Sequence, residues 1–462
     1  MLVISSTCGK DRMSNTGSAG GFMQGLDQFF KISERGSSVS TEVIGGLTTF
    51  LAMSYIIAVN PAMMTVAGIP FNAALTATCF GAAIMTVAMG VFANRPIALA
   101  SGMGINAIVA YSLCLGLGVD WRVAMGVVFL EGVIILILVL CGLRKAVMDA
   151  IPVSLRRAIG IGIGLFIAFI GLKGGGFIAA DESTFIVLGD LTSPVAFVSA
   201  VSIIVAVVFT ALKFKAGLLI SIIVATVVGI PLGVTPPIGE FTFAPDFSAF
   251  AAPFQMTPDG VMGIIEVLTQ PVLLLFVFSL LMSDFFDTMG TVVAVGSRGD
   301  FVDKNGDVEN VKAILTVDSA AAAAGGFMGA SSITSFVESV SGAAAGARTG
   351  LSNIVVGVAF AACAFLAPVI GMVTGSATCG ALVVVGYLML TEISEIDWSD
   401  ISTAFPAFIT IIGIPFTYSI ANGIGLGFIS YCIIKVAQGQ FKDVKPLMWF
   451  ASLAFLAAFI FA

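Results

Sequence analysis

From about Thr41 onward this chain is a succession of apolar runs, each close to the ~20 residues that an α-helix needs to cross a bilayer. No other feature constrains the fold as strongly. In lipid every backbone N–H and C=O must be satisfied inside the protein, so an irregular segment at membrane depth has to be buried in protein. Composition agrees, with 462 residues, 58% hydrophobic and 10% charged, where an ordinary globular domain is about a quarter charged and under half apolar. The chain reads as an all-α polytopic membrane protein.

Candidate spans lie near 41–60, 71–93, 97–117, 121–143, 154–172, 193–212 and 216–235. A Pro/Phe-rich loop without basic residues covers 236–260. Further spans lie near 263–296, 311–327, 331–347, 350–369 and 371–391. The stretch 403–437 holds two short spans, and 446–462 is a last apolar run at the lower limit for a crossing. With the N-terminus in the cytoplasm, only Arg122 and Lys173 of the 20 Lys and Arg fall on the far side. That asymmetry is the positive-inside pattern, and reading 403–437 as one span would spoil it at Lys435, Lys442 and Lys445. The loop 236–260 divides the chain into two sets of about seven spans, so the second set is expected to be inverted relative to the first.

The polar residues 1–40 lack the apolar core of a signal peptide and read as an N-terminal tail and linker. Residues 1–30 are expected to be a poorly ordered cytoplasmic tail, and Gly36 to Glu42 a linker ending in a helix cap. Seven cysteines are scattered without a CxxC pair, and there is no histidine. Neither a disulfide framework nor a zinc site is supported, and no metal or cofactor is expected. Without histidine, a proton handled near neutral pH must ride on a carboxylate.

Two segments place polar groups where apolar helix is expected. The first is Ser283-Asp284-Phe285-Phe286-Asp287-Thr288-Met289-Gly290. Asp284 and Asp287 are three apart and share a helix face, and the apolar run Thr291 to Val295 continues past them. A cytoplasmic helix end is the plainer reading, since Arg298 and Asp300 follow. The second segment is Ser331-Ser332-Ile333-Thr334-Ser335-Phe336-Val337-Glu338, preceded by Gly325, Gly326 and Gly329. Ser335 to Glu338 has the spacing of a capping box. Either it simply starts a helix, or that helix starts within the membrane and aims its N-terminus at a central site. Ser101-Gly102-Met103-Gly104-Ile105-Asn106 opens the third span of the first set as Ser331 to Glu338 opens the third of the second. Pro152 and Pro368 likewise mark the fifth span of each set. Paired interruptions of this kind point to the binding site of a secondary transporter.

Intramembrane acids are expensive and usually functional. Glu131, Asp318 and Glu266 are read as packing, supporting or capping groups. Phe50, Tyr55, Phe285, Phe286 and Phe336 are candidates to stack on a planar ligand. Carboxylates, an amide and hydroxyls without an intramembrane Lys or Arg suit a small neutral or cationic solute, such as a heterocycle rich in N–H donors.

At these residues the sequence resembles the AzgA-type purine permeases, a branch of the nucleobase–cation symporters. The likeness is carried by Thr48-Thr49-Phe50-Leu51-Ala52-Met53-Ser54-Tyr55-Ile56-Ile57-Ala58-Val59-Asn60-Pro61, by Gly102-Met103-Gly104-Ile105-Asn106-Ala107 and by Asp284 to Gly290. It continues in Glu338-Ser339-Val340-Ser341-Gly342 followed by Gly346-Ala347-Arg348-Thr349-Gly350-Leu351. It runs from about residue 23 to the C-terminus. Met289 stands where the family more often has Ala or Val, Ser341 where it has Gly or Ala, and Ala347 where it has Gly.

The resemblance implies a uracil-permease-type fold of fourteen segments in a seven-plus-seven inverted repeat, with short strands in segments 3 and 10 meeting beside the substrate. A core domain would take 41–150 (segments 1–4) and 261–370 (segments 8–11). A gate domain would take 151–260 (segments 5–7 and the loop) and 371–462 (segments 12–14 and the C-terminal apolar segment). Asn106, Asp284 and Glu338 match the family's purine-contacting positions, with Ser335, Phe336 and Thr288 completing the expected substrate-binding set. Asp287 matches an acid needed for transport and is the expected proton carrier. The expected function is secondary active import of hypoxanthine, guanine and, as a third candidate, adenine, by symport with H⁺ rather than Na⁺. The protein would reside in the cell membrane, with a homodimer as the candidate assembly and no nucleic-acid partner. Two rivals are an anion or other nucleobase carrier of the same fold and an intramembrane transferase suggested by the Asp284-x-x-Asp287 spacing. The transferase would need flanking Lys or Arg and a second matching acidic motif, and there is no second motif.

Overall fold

The computed structural model describes residues 19–142, 151–239, 244–302 and 308–461. The first half contains α1 (Ala19–Phe30), α2 (Val39–Met53), α3 (Ile56–Val66), α4 (Phe71–Ala88), β1 (Leu99–Ser101), α5 (Met103–Ala107) and α6 (Trp121–Leu140). It continues with α7 (Val153–Gly174), β2 (Ile178–Asp181), β3 (Phe185–Leu188), α8 (Pro194–Ala211) and α9 (Gly217–Gly229). The second half contains α10 (Gly263–Thr269), α11 (Pro271–Arg298), α12 (Val311–Met328), β4 (Ile333–Ser335), α13 (Ser339–Ala344) and α14 (Leu351–Cys363). It ends with α15 (Ala367–Ile370), α16 (Gly375–Leu390), α17 (Ile401–Phe416), α18 (Ile420–Ala437) and α19 (Pro446–Phe461).

Among the described residues, ten helices are long and apolar enough to cross a membrane. Four shorter apolar helices accompany them, at Met103–Gly116, Gly217–Gly229, Ile401–Phe416 and Pro446–Ile460. The stretch 403–437 is indeed two helices, α17 and α18, separated by a turn at Thr417 to Ser419. On α8, Phe197, Ile204, Val207 and Val208 are exposed. In water such a face would be a liability; in a bilayer it is the surface the lipid wets.

The helices pack in two groups. One contains α2, α4, α6, α12, α13 and α14; the other contains α7, α8, α9, α16, α17 and α18. Helix α11 lies between them, touching α6 and α13 on one side and α7 and α18 on the other. Helices α2 and α13 approach closely enough that a Cβ on Gly342 would fall 2.6 Å from the Gly45 carbonyl oxygen.

Two local expectations are corrected. Residues 19–30 are not a loose tail. They form α1, and its end packs Phe30 and Ile32 against Leu351 of α14. Asp27 closes the following turn by accepting from the Ser33 backbone N–H at 2.7 Å and hydroxyl at 2.9 Å. The part of that reading that covers residues 1–18 lies outside the described residues. The expected long span 263–296 is broken at Gln270, because Pro271 cannot donate to the preceding turn and starts a new helix instead. The linker reading holds at Ser38, whose side chain caps α2 by accepting from Thr41 N–H.

Candidate functional site

The site is built on a two-stranded antiparallel pair, β1 against β4, with Leu99 opposite Ser335, Ala100 opposite Thr334 and Ser101 opposite Ile333. The ladder extends at both ends: Gly102 N–H donates to Ser332 O and Phe336 N–H to Ala98 O, each at 2.9 Å. Every residue of both strands is buried. So short a pair has two open edges, and a buried backbone group without a partner costs about 1–3 kcal/mol.

Side chains close those edges. On the β1 side, Thr86 Oγ1 accepts from Leu99 N–H and donates to Leu99 O, both at 2.9 Å. On the β4 side, Asp318 Oδ1 accepts from Ser335 N–H at 2.9 Å and from the Ser335 hydroxyl at 2.7 Å. Its Oδ2 accepts from the Thr288 hydroxyl of α11 at 2.7 Å, and the Thr288 and Thr334 hydroxyls are 3.0 Å apart. Beneath the pair, Asn60 Nδ2 donates to Thr78 Oγ1 at 2.8 Å and Ala330 O at 3.1 Å.

Each strand then delivers one polar residue. After β1 the chain turns at Gly102 into α5, which carries Asn106 and runs on as a π-helical stretch from Ile108 to Gly116. Asn106 is fully buried; its Nδ2 donates to Ser101 O at 3.5 Å, and among the described residues its Oδ1 has no hydrogen-bond partner. After β4, Glu338 stands immediately before α13 and is half-buried. The Tyr55 hydroxyl, at the start of α3, donates to Glu338 Oε1 at 2.7 Å.

Helix α11 supplies the rest. Asp284 is fully buried, whereas Asp287, one turn further on, is exposed. The two acids therefore have different surroundings despite their shared face. Asp287 lies near enough to Asp318 and Glu338 to feel their charges, and Tyr55 feels both Glu338 and Asp287. Helix α11, which carries Asp284, also packs on α5, which carries Asn106, and on β4 and α13, which flank Glu338.

The capping box at Ser335 to Glu338 does not form. Ser335 lies in β4 with its hydroxyl committed to Asp318, and α13 begins only at Ser339 with no side-chain cap. That helix is six residues long, so the reading of a helix dipole aimed at the site is dropped with it. Of the candidate stacking rings, Phe50 packs edge-on against Phe360 at 5.3 Å, and Phe285 and Phe336 are buried in the main apolar core. Thr288 is occupied in holding Asp318. The Phe286 side chain lies outside the described residues. Asp318, read from the sequence as a supporting group, is the anchor of β4. Thr86 and Asn60 join the site only in the fold; apart from Asn60's place in the Thr48 to Pro61 block, the signal each carries in the sequence is a hydroxyl or amide in an apolar run.

Comparison with known proteins shows the family. The Xan_ur_permease model, described as a permease family, matches residues 40–426. The guanine/hypoxanthine permease PbuG of Bacillus subtilis is 40% identical over 447 residues, covering 94% of this chain and 100% of that protein. The adenine permease AdeP of Escherichia coli is 37% identical, covering 94% of this chain and 96% of that protein. Among solved structures, the transmembrane domain of the cyanobacterial bicarbonate transporter BicA superposes with a TM-score of 0.60 at 17% identity, covering 83% of this chain and 97% of that domain. The last likeness concerns the fold alone. The protein is an integral membrane transporter and not an enzyme, and the chain belongs to the Xan_ur_permease family of permeases.

Proposed function

We propose that this protein imports purine nucleobases, namely hypoxanthine, guanine and as a third candidate adenine, by proton symport with alternating access. The observation that carries the reading is the Glu338 carboxylate fixed by Tyr55 beyond the end of β4, together with the unpartnered Asn106 Oδ1 beyond the end of β1. Oxopurines present N–H donors along one edge and carbonyl or ring-nitrogen acceptors along another. Glu338 and Asp284 would accept from the N–H groups, and the Asn106 amide would meet the remaining edge. Ser335, Phe336 and Thr288 would frame the base. Asp287, exposed beside the cluster, would carry the coupling proton.

The division of the helices into two packed groups supports a core and a gate, with boundaries near 150, 260 and 370. The described helices support fourteen segments in an inverted repeat when β4 with α13 is counted as segment 10 and the terminal helix Pro446–Ile460 is left outside the repeat. The positive-inside pattern supports a cytoplasmic N-terminus in the cell membrane. An anion carrier of the same fold is disfavoured, because the charged residues nearest the strand pair are the acids Asp284, Asp287, Asp318 and Glu338, while Arg298 and Lys312 stand at the far ends of α11 and α12.

Uptake of radiolabelled hypoxanthine into proteoliposomes, with and without an inward proton gradient, tests this reading. Accumulation that needs the gradient and is competed by guanine or adenine but not uracil supports it. Uptake indifferent to purines, or driven by an anion gradient, would overturn it.

A further inference from the structure

Away from the strand pair, four basic residues from three distant stretches of sequence line one cavity of about 270 Å³: Lys31, Arg35, Arg95 and Arg348. Glu34, Asp300 and Glu309 line it too, and the depths of the two signs differ. Arg95 is 3% exposed and its partner Glu309 is 68% exposed; Arg348 is 23% exposed and its partner Asp300 is 75% exposed. The guanidinium groups form the floor and the carboxylates the rim.

The floor is built. Arg35 donates to the backbone carbonyls of Asn94 and Arg348. Arg348 donates to Ala343 O at 2.7 Å and Ala347 O at 2.9 Å. Arg95 stacks over the Phe301 ring at 4.8 Å, and its buried Nε has no hydrogen-bond partner among the described residues. Burial first, and the charge of Arg35 second, hold the Arg95 guanidinium below its ordinary pKa, with Glu309 offsetting only part of this. The rim carboxylates are loosely held, since an ion pair with one partner in water contributes about 0–1 kcal/mol. Arg35 has no acidic partner among the described ion pairs.

We propose that this cavity is a binding site for a phosphate group, in which Arg35, Arg95 and Arg348 grip the oxygens and the rim carboxylates of Glu309 and Asp300 swing out. Guanidinium groups fixed by backbone carbonyls present planar donor forks of the kind that match phosphate. The group belongs either to an anionic lipid headgroup or to a free phosphorylated solute on the face that carries the N-terminus.

Two arms distinguish the sources, using the purified full-length protein. In detergent, inorganic pyrophosphate binding is measured by titration calorimetry. In nanodiscs, the melting temperature is compared between phosphatidylglycerol and phosphatidylcholine. Arg35→Gln is expected to weaken the response about tenfold by removing one charge-assisted contact, and Glu309→Gln to strengthen it by removing a competitor. A pyrophosphate response with these opposite signs assigns a free phosphate. A phosphatidylglycerol-specific stabilisation that Arg35→Gln abolishes and Glu309→Gln increases assigns a lipid. No response in either arm, or the same change in both variants, overturns the proposal. Because Glu309 is exposed, its variant keeps the test informative even if Arg35→Gln folds poorly.

Discussion

Tyr55 and Glu338, 283 residues apart in sequence, meet through a 2.7 Å hydrogen bond in which the tyrosine hydroxyl donates to the carboxylate. The contact leaves Glu338 Oε2 as the oxygen not held by Tyr55 and fixes the carboxylate's orientation. Tyr55→Phe removes the donor but keeps the ring, which is 2% exposed. A hydrogen bond to a charged group contributes about 1.5 kcal/mol or more, so purine affinity is expected to fall about tenfold with the fold intact. Equilibrium binding of radiolabelled guanine checks this, and unchanged affinity would mean that Glu338 needs no such positioning.

Asp318 accepts from Ser335 N–H, Ser335 Oγ and Thr288 Oγ1, so it ties β4 to α12 and α11 at once. Asp318→Asn replaces a charged acceptor by a neutral one that must also place an NH₂ among donors. A loss of about 2–3 kcal/mol is expected from hydrogen bonds to a charged group, read as a lower melting temperature in detergent together with lost transport. Thr334→Val removes only the 3.4 Å contact to Asp318 and the hydroxyl pairing with Thr288; its melting temperature should fall less.

A Cβ on Gly102 would lie 2.8 Å from Thr334 Cγ2, across the strand pair. Gly102→Ala should therefore overpack the pair, at a cost of about 1–3 kcal/mol. Thr334→Ser deletes the offending methyl and keeps the hydroxyl. The double variant Gly102→Ala/Thr334→Ser should recover most of the lost thermal stability and uptake. Additive losses would show that the clash is not the cause.

The same strand pair shows what sequence alone makes legible. Interruptions at Ser101-Gly102 and at Ser331 to Ser335 stand out because small and hydroxyl residues break an apolar run; a strand ends at the first and another forms within the second. Asp284, Asp287 and Glu338 stand out because charge is costly at membrane depth. Which donor meets each acid is not legible: Tyr55 reads as one aromatic among many until the fold brings it to Glu338. The Ser335-x-x-Glu338 spacing misleads because the local cap competes with a tertiary acceptor, Asp318, that offers the same hydroxyl a charged partner. Asp284 and Asp287 look equivalent by periodicity, yet one is buried and the other exposed, since membrane helices here face protein on one side and lipid or cleft on the other with no polar stripe to tell them apart.

Asp287, exposed on α11 and within reach of the charges of Asp318 and Glu338, is the carboxylate best placed to exchange a proton with water. Asp287→Asn should keep purine binding and exchange of base across the membrane while losing accumulation driven by a pH gradient. Accumulation as high as in the unmodified protein would remove Asp287 as the coupling site.

The most direct test of the central claim is equilibrium binding of radiolabelled hypoxanthine to the purified protein and to its Glu338→Ala and Asp284→Ala variants, each first shown to be folded by its melting curve. Saturable binding to the unmodified protein, lost by about 100-fold or more in both folded variants as buried charged contacts are removed, is the expected result. Affinity equal to that of the unmodified protein in either folded variant would contradict the assignment of Glu338 and Asp284 to the purine site.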